Sequence, residues 1–316
     1  MSQTTSAPVT SPAGFSDVKG WFWPADQLLF DWFLKRQDRG PEQTGDLLEL
    51  GAYLGKSAIF IGGYLRPGEE FTVCDLFDSP APDDPNSAEM GRSYSTLTRR
   101  AFEANYRAFH ERLPTIVQAP TSVIGSRLKA GSCRFIHVDA SHLYEHVHGD
   151  IRAARELAAP DAIVAFDDFR AEHCPGVAAA VWGAVATMEL KLICITGTKA
   201  YGTWGDPEPA RAELLDWLSL RTDLWHGVEE VAGAPLIRID GKKAKAPTPP
   251  QPLRPAPETP ETPETPETPE TPETPEAPGA PGAPGVSTAP RTPTARPVTP
   301  APAARGLLAR ALGRRR

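Results

Sequence analysis

One stretch constrains the fold of this chain more than any other: Asp46 to Ser57, which reads DLLELGAYLGKS. An apolar run that contains one acid, Glu49, ends at Gly51, and Gly55 follows before a second apolar run. This pattern predicts a buried strand, a tight glycine turn and a helix with Ser57 at its N-cap. Open α/β sheets bind nucleotide-like ligands beside such turns. An ordinary structural turn explains the glycines equally well, because their spacing is neither that of a P-loop nor that of a dinucleotide fingerprint.

Proline content divides the 316-residue chain. Twenty of the 35 prolines fall in residues 241–316, which contain no aromatic residue and repeat ETP from Glu258 to Pro275. Because such a segment cannot bury a core, we predict a disordered tail over 241–316, a disordered N-terminus over 1–15 and one domain over 16–240. The tail ends in RGLLARALGRRR, which could contact an acidic partner or anionic lipid, or be an inert basic end.

Charge, cysteine content and hydropathy narrow the class of protein. The tail carries eleven Lys and Arg against seven Glu, a net charge of +4, and the whole chain carries −7, so the first 240 residues carry −11. An acidic domain argues against a nucleic-acid partner. Four scattered cysteines lack metal spacing and are expected to be reduced and buried, as in a cytoplasmic protein. The first twelve residues contain no apolar run, and no run of 18 apolar residues exists, so we expect neither a signal peptide nor a transmembrane segment.

Strands and helices alternate after the glycine turn, which predicts a doubly wound, mainly parallel α/β sheet. The second strand, EFTVCDL, ends near Asp75, an acid that could accept hydrogen bonds from a ribose diol or simply cap the next turn. Residues 77–95 are rich in Pro, Asp and Ser and predict an insertion or mobile loop. The aromatic segment 20–34 predicts a helix packed on the sheet. The alternative is a flap over the ligand pocket, made of Trp21, Phe22 and Trp23.

Two later strands end in acids. The strand CRFIHVD ends in Asp139, and AIVAF is followed by Asp167 and Asp168. A right-handed crossover makes these strands neighbours, so the three carboxylates are expected to converge. Acids this close repel one another unless a cation joins them, and hard oxygen ligands suit Mg²⁺. The alternative is that the three acids cap separate helices. His142, three residues after Asp139, is a candidate base. The other histidines of this region are expected to be solvated or packed: His137, His146 and His148.

In order and spacing, the segments ELGAYLGKS, HVDASHLYEHVHGDI and IVAFDDF, together with Asp75, resemble class I S-adenosylmethionine-dependent methyltransferases. More narrowly, they resemble the methyltransferase family 24 group and its metal-dependent sugar O-methyltransferases of antibiotic pathways. The resemblance implies a Rossmann-like sheet of seven strands. It also implies methyl transfer to a hydroxyl of a small molecule or sugar, with S-adenosylmethionine as cofactor and Mg²⁺ as an expected second one. The alternative is an inactive methyltransferase-like binding module tethered by its tail.

The resemblance also implies which residues bind the cofactor. These are Glu49, Gly51, Tyr53, Gly55, Ser57, Asp75 and Ser122. The glycine turn would hold the methionine half with Glu49 near its ammonium group, Asp75 would take the ribose hydroxyls, and the stretch Gln118 to Ser122 would flank the adenine.

For catalysis the resemblance implies His142 and Asp139, with Asp139, Asp167 and Asp168 at the positions that bind a divalent cation. Relatives often read Asp-Gly-Asp-His where this chain reads Asp-Ala-Ser-His from Asp139 to His142. Where the second acid serves as general base, Ser141 cannot replace it, so this difference bears on both the base and the metal.

Overall fold

A computed structural model describes residues 11–38, 44–94 and 96–254 of the chain. These residues lie in one compact unit, Met1–Thr259. The predicted tail beyond residue 254, with its ETP repeats and basic end, lies outside the described residues, as do residues 1–10. The disorder predicted for both segments therefore stays a prediction.

The described residues form seven α-helices, nine strands and two short 3-10 helices, Phe15–Asp17 and Thr121–Ser126. The α-helices are α1 (Pro24–Gln37), α2 (Lys56–Gly62), α3 (Asp84–Ser93), α4 (Arg99–Arg107), α5 (Tyr144–Leu157), α6 (Pro175–Thr187) and α7 (Glu208–Ser219). The strands are β1 (Asp46–Leu50), β2 (Phe71–Asp75), β3 (Thr115–Gln118), β4 (Cys133–Val138), β5 (Ala158–Phe166), β6 (Lys191–Ile195), β7 (Ala200–Thr203), β8 (Trp225–Val231) and β9 (Ala234–Asp240).

All nine strands belong to one sheet, in the order β3-β2-β1-β4-β5-β7-β6-β9-β8. Strands β1 to β5 pair in parallel, and β7 runs antiparallel between β5 and β6. The mainly parallel, Rossmann-like α/β fold is thus confirmed. The strand count is nine rather than seven, because the hairpin β8–β9 extends the sheet beyond β6. Strand β8 carries little apolar signal in the sequence, because its residues are mostly exposed.

Alternating strand residues bury two separate cores, one on each face of the sheet. Leu47 and Phe135 pack into the first core, whereas Leu48 and Ile136 pack into the second. Successive side chains of a strand point to opposite faces, so each strand supplies both cores. Helices α1, α2, α4 and α7 cover the first face, and α5 and α6 cover the second. Helices on both faces explain why the central strands read as continuous apolar runs.

The glycine turn lies between the neighbouring strands β1 and β4. This is the topological switch point, where the strand order reverses direction across the sheet. Gly51 has a φ of +79°, and a Cβ there would lie 2.1 Å from the carbonyl oxygen of Asp139. Only glycine permits this approach of the two strand ends. The predicted N-cap at Ser57 is wrong: Gly55, with a φ of +91°, is the N-cap, and α2 begins at Lys56.

Three other segments are more ordered than the sequence predicts. Residues 77–95, predicted as a loop, contain α3, whose N-cap Asp83 accepts a hydrogen bond from the Asn86 N–H at 2.9 Å. Phe15, placed at the end of the N-terminal segment, is only 6% exposed. At the other end of the domain, the N–H of Leu253 donates to the carbonyl oxygen of Ala108 at 2.8 Å. Ordered contacts therefore extend beyond both predicted domain boundaries, 15 and 240.

The four cysteines are unpaired and buried, which confirms the expectation of reduced thiols. None of the helices in the described part of the chain is long and apolar enough to span a membrane.

A buried ion pair fastens α1 to β4 and to the loop before β2. The Arg134 side chain is 2% exposed, and its Nε and Nη2 donate to the two oxygens of Glu69 at 2.9 and 2.8 Å. Its Nη1 donates to Oε1 of Gln37 at 3.0 Å. A bidentate pair of this kind is strong and directional, so Arg134 fixes how the first helix meets the sheet.

Replacing Arg134 with methionine should lower the free energy of unfolding by about 1.5–3 kcal/mol, because the Glu69 carboxylate loses two charge-assisted hydrogen bonds and keeps Arg66, at 3.3 Å, as its cationic partner. Urea denaturation followed by circular dichroism measures this change. Arg155→Met is the matched control, since Arg155 pairs with Glu189 at the surface, where the side chains are 43% and 81% exposed. Equal losses in the two variants would contradict the role given to Arg134.

Candidate active site

A cavity of about 810 Å³ opens at the carboxyl ends of β1, β2, β4 and β5. This volume is within the range of sites that bind small molecules and cofactors. Five of the seven predicted cofactor-binding residues line its wall: Gly51, Tyr53, Ser57, Asp75 and Ser122. The carboxyl edge of the sheet, where the sequence predicts a ligand site, therefore carries a cavity of suitable size.

Asp75 fixes the glycine turn. Its Oδ2 accepts hydrogen bonds from the N–H groups of Ala52 and Tyr53 at 2.7 and 3.1 Å, and its Oδ1 accepts one from Phe77 at 2.6 Å. Burial raises the pKa of the Asp75 carboxyl, and these three donors oppose the rise. Asp75 thus combines both readings of the sequence: it caps the turn, and it also lies on the cavity wall.

The other two predicted cofactor residues, Glu49 and Gly55, do not line the cavity. Gly55 packs against Phe102, whose ring a Cβ at position 55 would approach to 3.0 Å. Glu49 is fully buried, and its Oε1 lies 2.8 Å from Nδ1 of His137. Its Oε2 has no hydrogen-bond partner among the described residues. Burial raises the pKa of Glu49 to about 8, so this acceptor is poorly compensated by the protein.

The aromatic segment before α1 serves both roles considered for it. Phe22 is buried against Phe30 and Phe60, whereas Trp21 and Trp23 are 63% and 55% exposed and line the cavity. The Trp21 ring stacks on Tyr53 with centroids 5.6 Å apart. The helix packs on the sheet as predicted, and the two tryptophans form part of the cavity rim.

The three aspartates do converge on the cavity, as the crossover predicts. Val138 pairs with Phe166 in the parallel ladder of β4 and β5, so Asp139 and Asp167 follow side by side. All three, Asp139, Asp167 and Asp168, line the cavity wall. Burial, with Asp167 and Asp168 close by, raises the pKa of the Asp139 carboxyl well above its usual range. Within the described residues no hydrogen bond reaches this carboxylate, and Nε2 of His137 lies 3.9 Å away.

A lysine that the sequence analysis does not select lies inside this cluster. The Nζ of Lys199 forms an ion pair with Oδ2 of Asp167 and lies 3.1 Å from Nε2 of His137. Burial opposes a charge on this ammonium, but Asp167, Asp139 and Asp26 outweigh it and raise the pKa of Lys199. Burial and then the Lys199 charge lower the pKa of His137 well below its usual value. His137 is therefore neutral, with Nδ1–H donating to Glu49 and Nε2 accepting from Lys199.

His142 lies between two carboxylates. Its Nδ1 is 2.9 Å from Oε1 of Glu89, and its Nε2 is 2.9 Å from Oδ2 of Asp168. Burial alone would lower the pKa of the ring, but the hydrogen bonds to Asp168 and Glu89 outweigh it and raise the pKa to about 10. An imidazolium has no free lone pair, so His142 can act as a base only after it loses a ring proton, which the two carboxylates oppose.

The sequence does not predict that three residues belong to the site: Lys199, Glu89 and His137. Glu89 lies on α3, in the segment predicted as a loop. His137 was expected to be packed or solvated, and it is packed, but within the charged cluster. A lysine directly before a buried strand is a usable signal for Lys199, although the pairing of β7 with β5 is not visible in the sequence.

The donor set does not fit an open site for a divalent cation. His137, Asp139 and Asp167 place ligand atoms within 4.8 Å of one another, close enough for one ion. However, the Lys199 ammonium pairs with Asp167 and His137, and Asp168 pairs with His142. A Mg²⁺ site needs several oxygen ligands free to reach about 2.1 Å from the ion. Of the three carboxylates expected to supply them, Asp167 and Asp168 already hold cationic partners from the chain, and only Asp139 is left.

Parts of this chain are similar to a known protein family and to solved structures. Residues 48–169 match the family model described as a methyltransferase domain, in its group 24. No curated protein matches the chain. Among solved structures, the O-methyltransferase NovP is 18% identical, with 57% of this chain and 79% of that chain covered and a TM-score of 0.47. CalS11, a TDP-rhamnose 3′-O-methyltransferase of calicheamicin biosynthesis, is 18% identical, with coverage of 58% and 80% and a TM-score of 0.40.

An O-methyltransferase from Bacillus cereus, solved with S-adenosylhomocysteine, is 13% identical, with coverage of 60% and 85% and a TM-score of 0.40. These likenesses are distant, and what those proteins act on is said of them alone. The family match falls on β1 through β5 and contains the glycine turn, Asp75 and the three aspartates. Residues 48–169 of this chain therefore match a methyltransferase domain, as the resemblance to class I S-adenosylmethionine-dependent methyltransferases predicts.

Proposed function

We propose that this chain transfers the methyl group of S-adenosylmethionine to a hydroxyl of a small molecule, such as a sugar. One observation supports this most: a single cavity joins the glycine turn and Asp75 at the ends of β1 and β2 to Asp139 and His142 after β4. A cofactor bound at the glycine turn and Asp75 would present its methyl group toward an acceptor bound beside Asp139 and His142. Holding the reacting atoms about 3–3.5 Å apart and in line supplies much of the rate of such a transfer.

The residues of the turn fit the cofactor. S-adenosylmethionine supplies a methyl group on a positively charged sulfur, so the protein has only to bind, align and accept a proton. Glu49 is buried behind the cavity wall with Ser57 beside it, so its proposed contact with the ammonium group requires the turn to open. Asp75 keeps acceptor lone pairs on the cavity wall for ribose hydroxyls, and Ser122 lies on the same wall beside the expected adenine.

Asp139 is the best-supported proton acceptor. It lines the cavity, and no hydrogen bond within the described residues occupies its oxygens. His142 is held as an imidazolium by Glu89 and Asp168, which suits it to orient an acceptor or to balance charge. The proton of the attacking hydroxyl would pass to Asp139, and His142 would take it only after giving up one of its own ring protons. No step here needs Mg²⁺, whose expected ligands fit it poorly.

The other expectations from the sequence stay predictions. The basic C-terminal end as a contact for an acidic partner or anionic lipid, the cytoplasmic location and the tethered, inactive binding module are predictions that no described residue bears on. The acceptor is proposed as a small molecule because the cavity, at about 810 Å³, has room for a cofactor and a compact second ligand.

Calorimetric titration with S-adenosylhomocysteine tests cofactor binding. We expect Asp75→Asn to weaken binding by about 1.5–3 kcal/mol, some 10- to 150-fold, because the amide loses a charge that accepts hydrogen bonds. Asp78→Asn is the matched control, three residues away, exposed and outside the cavity wall. Unchanged affinity in Asp75→Asn would remove Asp75 from the site, and no binding to the wild type would refute the proposed function.

Transfer of labelled methyl from S-adenosylmethionine to a panel of sugar nucleotides and other hydroxyl compounds tests the chemistry. Asp139→Asn should reduce transfer by about 100-fold or more, the range for loss of a general base, while S-adenosylhomocysteine affinity changes little. Asp161→Asn, at the exposed start of β5, should leave both unchanged. Full transfer by Asp139→Asn would show that another group accepts the proton.

A further inference from the structure

We propose that the Lys199 ammonium is the resident cation of the acid cluster that ends β4 and β5, so that this methyltransferase binds and methylates its acceptor without a divalent metal ion. The inference rests on the proposed function, and it departs from the Mg²⁺ dependence that the resemblance implies. Lys199 acts as a positioning residue, because it contacts Asp167 and His137 rather than the reacting atoms.

The sheet register dictates where Lys199 lies. In the antiparallel ladder of β5 and β7, Val164 pairs with Gly202 and Phe166 pairs with Ala200. One further step along that ladder brings residue 199 opposite residue 167, at the carboxyl end of β5 where the acids gather. The lysine therefore reaches Asp167 from the strand beside it, and no loop movement is needed to place it there.

The backbone of Lys199 is held on both sides. Its N–H donates to Oγ1 of Thr196 at 2.9 Å, and its carbonyl oxygen accepts from the N–H of Thr196 at 2.8 Å. Asp26 of α1 then fixes this turn, since it accepts from Oγ1 of Thr196 at 2.8 Å and from the Tyr201 hydroxyl at 2.7 Å. The turn that carries Lys199 is thus fastened to the first helix.

The side chain of Lys199 is enclosed as well. Lys199 is 1% exposed, and its ammonium lies 5.8 Å from the ring centroids of both Phe22 and Phe30. These aromatic faces stabilise a cation, and the neutral His137 accepts a hydrogen bond from the ammonium. The ammonium is therefore enclosed beside the acids, with Asp167 as its ion-pair partner.

The same contacts remove the ligands that a metal ion would need. Oδ2 of Asp167 pairs with Lys199, and Oδ1 accepts the N–H of Asp168 at 2.8 Å. The Nε2 lone pair of His137 accepts from Lys199. A divalent ion seated among His137, Asp139 and Asp167 would lie within a few ångströms of a fixed positive charge, which repels it strongly in a poorly solvated site. Lys199 accordingly does the charge-balancing work of that ion.

Manganese binding to the full chain, followed by electron paramagnetic resonance, tests the inference. We expect the wild type to show no site with a Kd below about 1 mM that Asp139→Asn removes, because the ammonium holds the place of the ion. Lys199→Met should create such a site from His137, Asp139 and Asp167, whereas Lys199→Arg, which keeps the charge, should not. Lys191→Met is the matched control, since the Lys191 ammonium donates only to the Gly205 carbonyl at the surface.

Two results would overturn the inference. One is a manganese site in the wild type that Asp139→Asn abolishes, and the other is a folded Lys199→Met variant that still binds no manganese. If Lys199→Met does not fold, by circular dichroism, the wild-type titration decides alone. Calorimetry with S-adenosylhomocysteine runs in parallel: failure to bind it refutes the proposed function, and manganese binding to the wild type refutes the resident cation.

Discussion

A charged group in a protein interior must find a partner of opposite sign, and the β5–β7 ladder supplies that partner for the acids of this site. Lys199 follows from register: once β7 inserts antiparallel beside β5, residue 199 has to lie across from Asp167. Three features accommodate this one ion pair: the neutral state of His137, the contact of Glu49 with the His137 ring, and the fixed turn after β6. A parallel β7 would carry residue 199 to the opposite edge of the sheet.

The two halves of the site share a wall because Gly51 has no side chain. Its Cα lies against the backbone of Asp139 so closely that a Cβ would fall 2.1 Å from the carbonyl oxygen. The turn expected to hold the cofactor and the strand end that carries the acids therefore meet directly, without an intervening side chain. Any change that separates them would move the methyl donor and the acceptor apart, where small displacements are costly.

The sequence predicts well what local signals determine. The apolar run of β1, the glycine turn and the acids at the ends of β2, β4 and β5 all lie where expected, because strand ends are marked by composition. It fails where the cause is distant in the chain. Helix α3 forms in a Pro-, Asp- and Ser-rich segment because Asp83 caps it, and Lys199 joins the site through a pairing of strands that no local pattern encodes.

Asp26 accepts hydrogen bonds from the turn before β7, and this contact also limits how short a folded fragment of the domain can be. The motif-bearing region, residues 48–169, contains neither Asp26 nor Lys199. A fragment cut to those limits would keep Asp139 and Asp167 side by side and lose the cation that balances them, a change that costs several kcal/mol for a buried carboxylate. The first helix and the strands after residue 190 are therefore part of the smallest unit that can fold around this site.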